Sequence, residues 1–193
     1  MAPSFAAHST QVLQPRAYQL EMLEDSMQRN IVVAMDTGSG KTQVAILRMA
    51  AELERCKPHK KVWFLCPTVA LVEQQHSVVS IQLPSYQSLI LSGSDGVDKW
   101  STAQIWEDVL LNVHIVVCTP QVLYDALVHG FVLMKDIALL VFDEAHHCHA
   151  NHVMNRIMQV FYHPLKDNSA AEIPYILGLT ASPRINAKQG SLE

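Results

Sequence analysis

Residues 35–42 read MDTGSGKT. A loop that grips phosphate needs small residues that let backbone N–H groups wrap an anion, a lysine for the terminal oxygens, and a hydroxyl for a magnesium ion. Gly38 and Gly40 permit the close turn, with Asp36, Thr37 and Ser39 completing the wrap. Lys41 supplies the point charge and Thr42 the metal-side hydroxyl. The helix expected to start at Lys41 turns its positive end toward the same place. Met35 departs from the usual pattern, which has a small residue there.

Hydrolysis of a nucleotide also needs one carboxylate for the metal and another to orient the attacking water. Asp143 and Glu144 directly follow the apolar run ALLVF and meet that need, Asp143 toward the metal and Glu144 as base. The pair taken alone reads more readily as a solvated helix cap; beside a phosphate loop the catalytic reading takes over. His146, His147, His149 and His152, with Cys148, invite a zinc site. Adjacent residues on a turning chain diverge, however, and zinc needs converging ligands. His146 is better read as a polar coupling residue beside the nucleotide.

The elements that must hold these groups alternate. An amphipathic helix is predicted over 16–29, its apolar residues being Tyr18, Leu20, Met22, Leu23 and Met27. Apolar, strand-like runs follow at 31–35, 61–66, 88–92, 113–118, 138–142 and 175–182, with helices at 41–55, 69–79, 102–111, from Pro120, and 151–162. Strands apolar on both faces and separated by helices predict an α/β domain of three layers around a mostly parallel central sheet. Ligands of such sheets bind at the strands' carboxyl ends, and every motif above falls at one.

A chain of 193 residues suits one domain, since single cores serve about 100–200 residues. With 49% hydrophobic and 17% charged residues it can bury a core, and its net charge of −4 excludes polyanion binding through a blanket positive field. The four cysteines are widely spaced, two of them closing apolar runs, so reduced thiols are expected. The first ten residues lack a basic, apolar leader, and no apolar run approaches the ~20 residues of a membrane span. An intracellular location, cytoplasmic or nuclear, follows as an expectation. Disorder is expected at 1–12, 165–172 and 186–193, leaving 13–185 as the domain.

In order along the chain, TGSGKT (37–42), PTVALVEQQ (67–75), TPQVL (119–123), DEAH (143–146) and TAS (180–182) resemble the first RecA-like domain of superfamily 2 helicases, a likeness covering about 15–183. RAYQLEML (16–23) and HVMNRIM (152–158) are similar to the group that contains Dicer and the retinoic-acid-inducible RNA sensors, and most of all to the amino-terminal helicase region of fungal Dicer-like proteins of the second type. The resemblance implies a RecA-like P-loop fold with ATP and Mg²⁺ as cofactors. It implies Gln19 at the adenine edge, Arg16 packed on the base, Lys41 and Thr42 on phosphate and metal, Asp143 on the metal and Glu144 on the water. His146, Thr180 and Ser182 would couple nucleotide state to movement.

Thr68, Gly93 and Thr119 lie in segments that in the family touch the RNA backbone; hydroxyls and glycines also simply start helices, and both roles are compatible because helix N-termini present N–H groups to phosphate. The implied partners are double-stranded RNA and a second RecA-like domain that supplies arginines across the ATP cleft. The chain is then expected to be part of a larger RNA-silencing, antiviral enzyme, nearly inactive in isolation. A stand-alone, non-enzymatic double-stranded RNA-binding or decoy module is the competing expectation.

Overall fold

Six short aliphatic runs become strands because β-branched residues pack well on a pleated surface. The computed structural model describes residues 15–93, 96–97, 100–166 and 171–181. The strands are β1 (Ile31–Ala34), β2 (Lys61–Leu65), β3 (Ser88–Leu91), β4 (Ile115–Cys118), β5 (Ile137–Phe142) and β6 (Tyr175–Thr180). The helices are α1 (Ala17–Gln28), α2 (Lys41–Arg55), α3 (Val69–Gln82), α4 (Ala103–Leu110), α5 (Pro120–Val128), α6 (Val153–Ile157) and α7 (His163–Lys166). The sheet order is β1-β6-β5-β2-β4-β3 and every pairing is parallel. The expected three-layer α/β architecture is therefore present, with a sheet that is wholly rather than mostly parallel.

Alternation along the strands divides the core in two. Val62 and Phe64 join Val44 and Met49 of α2 and Val72 and Val79 of α3 on one face. Trp63 and Leu65 join Trp106 of α4, Leu123 of α5 and Ile157 of α6 on the other. β4 and β5 are buried along their whole length, as the sheet's interior requires. β1 lies at an edge, and Val32 remains 65% exposed.

Four local expectations are corrected or refined. α1 half-buries Tyr18, Met22, Leu23 and Met27, with Met22 packed on the core, but the residues it buries fully are Gln19 and Ser26, while Leu20 is 41% exposed. Hydrogen bonding to the neighbouring α2 region wins there, since the Ser26 carbonyl accepts from Arg48 Nε at 3.1 Å. β4 begins at Ile115 because Val113 is held in a turn by its N–H bond to the Leu110 carbonyl. The last helix passes through a π-helical turn at Met158–Tyr162 before continuing as α7. The segment expected to be disordered at 165–172 is partly ordered: α7 runs to Lys166, and the Glu172 carboxylate accepts from Lys57 and Lys60 at 2.6 and 2.9 Å. The two lysines hold Glu172 down at a pKa of about 2. Residues 1–12, 167–170, 186–193 and Ser182 lie outside the described residues. The four cysteines are free, and burial pushes the Cys66 and Cys118 thiols up.

Arg48 is fully buried, paired with Glu52 at 2.5 Å, and stacked over the Tyr175 ring at 5.1 Å from its centroid. Removing one partner of such a pair strands a charge in the core. Glu52→Leu is therefore expected to cost about 3–5 kcal/mol in urea unfolding. The double variant Arg48→Met/Glu52→Leu should recover most of that loss; a double variant no better than the single one contradicts this account.

Candidate nucleotide site

The loop from Met35 to Gly40 joins β1 to α2, and its base is tied to β6 by the Met35 N–H bond to the Thr180 carbonyl at 3.1 Å. Met35 also packs on the core, which accounts for a large residue at that position. Gly40 caps α2 at φ +91°, a conformation costly to any residue with a Cβ, and an added Cβ would stand 2.5 Å from Gln19 Nε2. The positive φ is what demands glycine, since the amide at the end of the Gln19 side chain can turn aside. Lys41 Nζ donates to the Met35 and Asp36 carbonyls at 2.8 and 3.2 Å, which holds the ammonium over the turn. Asp36, Thr37, Gly38 and Ser39 form that turn, with the Ser39 N–H bonded to the Asp36 carbonyl at 3.2 Å, and Thr42 lies in the first turn of α2.

Helix α1 reaches the same loop. Gln19 Oε1 accepts from the Arg16 N–H at 2.9 Å, while its Nε2 donates to the Gly40 carbonyl at 3.3 Å. Arg16 is exposed at the helix N-terminus. Tyr18 donates from its hydroxyl to the Ser39 carbonyl at 2.7 Å. Tyr18, expected only as an apolar residue of the helix, thus joins Gln19 on the loop.

At the end of β5, Asp143 is buried and its N–H donates to the Leu65 carbonyl at 2.8 Å. Its Oδ1 accepts from the Glu144 N–H at 3.0 Å and its Oδ2 from Gln75 Nε2 of α3 at 3.3 Å. Glu144 takes the left-handed conformation, φ +50°, unusual for a residue with a side chain. His146 Nδ1 then lies 3.2 Å from Glu144 Oε2 and 3.1 Å from Thr180 Oγ1. The Thr180 hydroxyl donates to the Ala181 carbonyl at 3.1 Å, so His146 Nδ1 carries the proton toward Thr180. Gly178 makes this packing feasible: a Cβ there would press on Ala145 Cβ and Val32 Cγ2, each at 3.1 Å.

Burial raises the Asp143 pKa above the ordinary carboxylate value, against the weaker opposing pull of the Glu144 N–H, Gln75 and Lys41. The folded protein therefore holds this proton more tightly than the unfolded chain does, and stability falls as pH rises from the usual aspartate range through the folded value. At pH 7 the ionised form is a standing cost. Asp143→Asn is expected to raise metal-free stability by about 1 kcal/mol, or about 2–4 °C in Tm, with the gain disappearing below the ordinary aspartate pKa. An unchanged or lower Tm at pH 7 rules this out.

The three residues expected along RNA follow adjacent strand ends. Thr68 caps α3, its hydroxyl accepting from the Leu71 N–H at 3.3 Å. Gly93 is exposed after β3, and Thr119 caps α5 after β4. Gly93 and Thr119 share the lining of a cavity of about 590 Å³ with Trp100 and Phe131. Thr68 is not among the residues that line it. A larger cavity of about 820 Å³, lined by Lys57, Met134 and Phe161 among others, precedes β2 and β5 at the opposite end and contains none of the predicted residues. The His146, His147 and His152 rings pack in pairs, with centroids 4.1 and 5.5 Å apart. Among the described residues no group of three His, Cys, Asp or Glu side chains could hold a metal ion.

The carboxyl end of this sheet thus gathers a glycine turn with Lys41 held over it, a buried carboxylate and a polar chain from Glu144 through His146 to Thr180 of β6. The family model described as DEAD/DEAH box helicase matches residues 16–189. Dicer-like protein 2 of Coccidioides immitis (strain RS) is 59% identical over 179 residues, which cover 92% of this chain and 12% of that protein. Dicer-like protein 2 of Cryphonectria parasitica is 55% identical over 178 residues, covering 92% of this chain and 12% of that protein. The solved helicase domain of Pyrococcus furiosus Hef superposes with a TM-score of 0.70 at 29% identity, covering 88% of this chain and 33% of that one. The fold is accordingly RecA-like.

Proposed function

The chain belongs to the DEAD/DEAH box helicase family, and we propose that it forms the ATP-binding wall of an RNA motor in a Dicer-like RNA-silencing enzyme. The observation that carries this reading is convergence: Lys41 at the start of α2, the Gln19 side chain of α1 on the Gly40 carbonyl, and Asp143 directly after β5 all stand at the carboxyl end of the sheet. The chain spans only 12–13% of the relatives named Dicer-like protein 2, so the activity of a whole enzyme goes beyond this domain.

In this reading the amides of Thr37–Gly40 and Lys41 bind the β- and γ-phosphates, and Gln19 and Arg16 address the base. A divalent cation suits the donor set, one buried carboxylate and one hydroxyl with phosphate and water completing the shell. Asp143 and Thr42 would hold Mg²⁺, which supplies charge neutralisation on the phosphates. Glu144 orients water from its strained turn, and His146 links that turn to Thr180 and, with Ser182, to movement of a second RecA-like domain. Thr68, Gly93 and Thr119 present helix starts and bare backbone to double-stranded RNA. Such contacts are compatible with a net charge of −4, because backbone donors need no positive side chains.

Lys41→Ala tests the core of the proposal. Loss of a charged phosphate contact is worth about 1.5–3 kcal/mol, so ATP affinity in a fluorescent-nucleotide titration should fall about 10- to 100-fold. Adenosine, which has no phosphates, should bind both proteins equally. Equal ATP affinity in the variant and the parent would refute the assignment, and RNA binding without any nucleotide binding would favour a non-enzymatic RNA-binding module.

A further inference from the structure

We propose that Gln75 is a positioning residue for the metal-site carboxylate, holding Asp143 from helix α3; the proposal rests on the nucleotide-site reading above. Gln75 is 7% exposed and lies on the inward stripe of α3 with Val72 and Val79. A position that only filled space there would suit an aliphatic side chain, because burying an amide is costly unless it is hydrogen-bonded. Its Nε2 donates to Asp143 Oδ2 at 3.3 Å, and its Oε1 is buried without a partner. The amide orientation follows from chemistry, since the opposite rotamer would set Oε1 against a carboxylate.

Asp143 is thereby held at both oxygens, Oδ1 by the Glu144 N–H and Oδ2 by Gln75. Each oxygen keeps a further lone pair for a cation. This is the arrangement by which outer groups orient a metal ligand, and losing such a group typically weakens metal binding about 10- to 100-fold. The helix adds a consequence. α3 starts at the Thr68 cap and carries Gln75 two turns on, so a ligand that displaces the start of α3 moves the group that sets the carboxylate.

The test is a fluorescent-ATP titration of the chain with EDTA and then with rising Mg²⁺, backed by the electron paramagnetic resonance signal of bound Mn²⁺. Gln75→Met keeps the volume and removes the donor. Gln75→Leu also removes the donor, with a branched side chain of similar size, so the comparison survives if one apolar variant misfolds. The expected result is an unchanged affinity in EDTA and a Mg²⁺ half-point raised about tenfold in either folded variant, with a matching loss of bound Mn²⁺. Folded variants with the parental Mg²⁺ half-point would overturn the role of Gln75 alone. A parent protein with no Mg²⁺-dependent nucleotide binding would overturn the nucleotide-site reading and this inference together.

Discussion

Joined to the second RecA-like domain proposed as its partner, the chain is expected to hydrolyse ATP in response to RNA about 10³–10⁵ faster than alone. The phosphoryl group in flight carries charge on three equatorial oxygens, and catalysis is mostly the stabilisation of that charge. The candidate site brings Lys41 from one side, with Asp143 and Glu144 beside it. Cations facing the γ-phosphate from across a cleft must come from another surface. Steady-state phosphate release, measured with double-stranded RNA on both proteins at equal concentration, decides the matter. Comparable rates from the chain alone would show that its own residues suffice and would remove the need for a second wall.

Glu144→Gln in the joined protein is expected to lower turnover by about 10²–10⁴ while leaving ATP affinity unchanged. The amide keeps the size and hydrogen-bonding reach of the side chain but cannot take or orient a proton as a carboxylate does. The two variants should therefore separate: Lys41→Ala weakens binding, whereas Glu144→Gln spares binding and removes chemistry. Single-turnover hydrolysis together with equilibrium ATP titration resolves both quantities. A Glu144→Gln protein that turns over normally would leave the strained φ of +50° without a catalytic purpose.

Features written in contiguous residues were legible from the chain itself. The phosphate loop needs glycine, lysine and hydroxyl at fixed offsets, and the structure adds the backbone reason for Gly40, its φ of +91° at the cap of α2. The acidic pair was legible because an apolar run delivers it to a strand end. Features created by packing between distant segments were not. Gln75 lies 68 positions from Asp143, and its spacing with Val72 and Val79 marks only a helix face. α1 was legible as a helix with an apolar face, and Met22 packs on the core, but the hydrogen bonds to α2 and the phosphate loop beside the fully buried Gln19 and Ser26 were not. The left-handed turn at Glu144 leaves no compositional trace, because glycine, the usual signal, is absent from it.

The place of β1 at the sheet edge has a further meaning. Its ladder is shared with β6 alone, so the strand that leads into the phosphate loop is fastened along one side while β5 and β2 are fastened along two. Segments with fewer shared bonds open more readily than the interior. A ligand that binds only the closed form returns its binding energy as local protection. Occupancy of the loop should thus be audible in the backbone itself, as slower amide exchange concentrated in β1 and its neighbour β6 and fading toward β3.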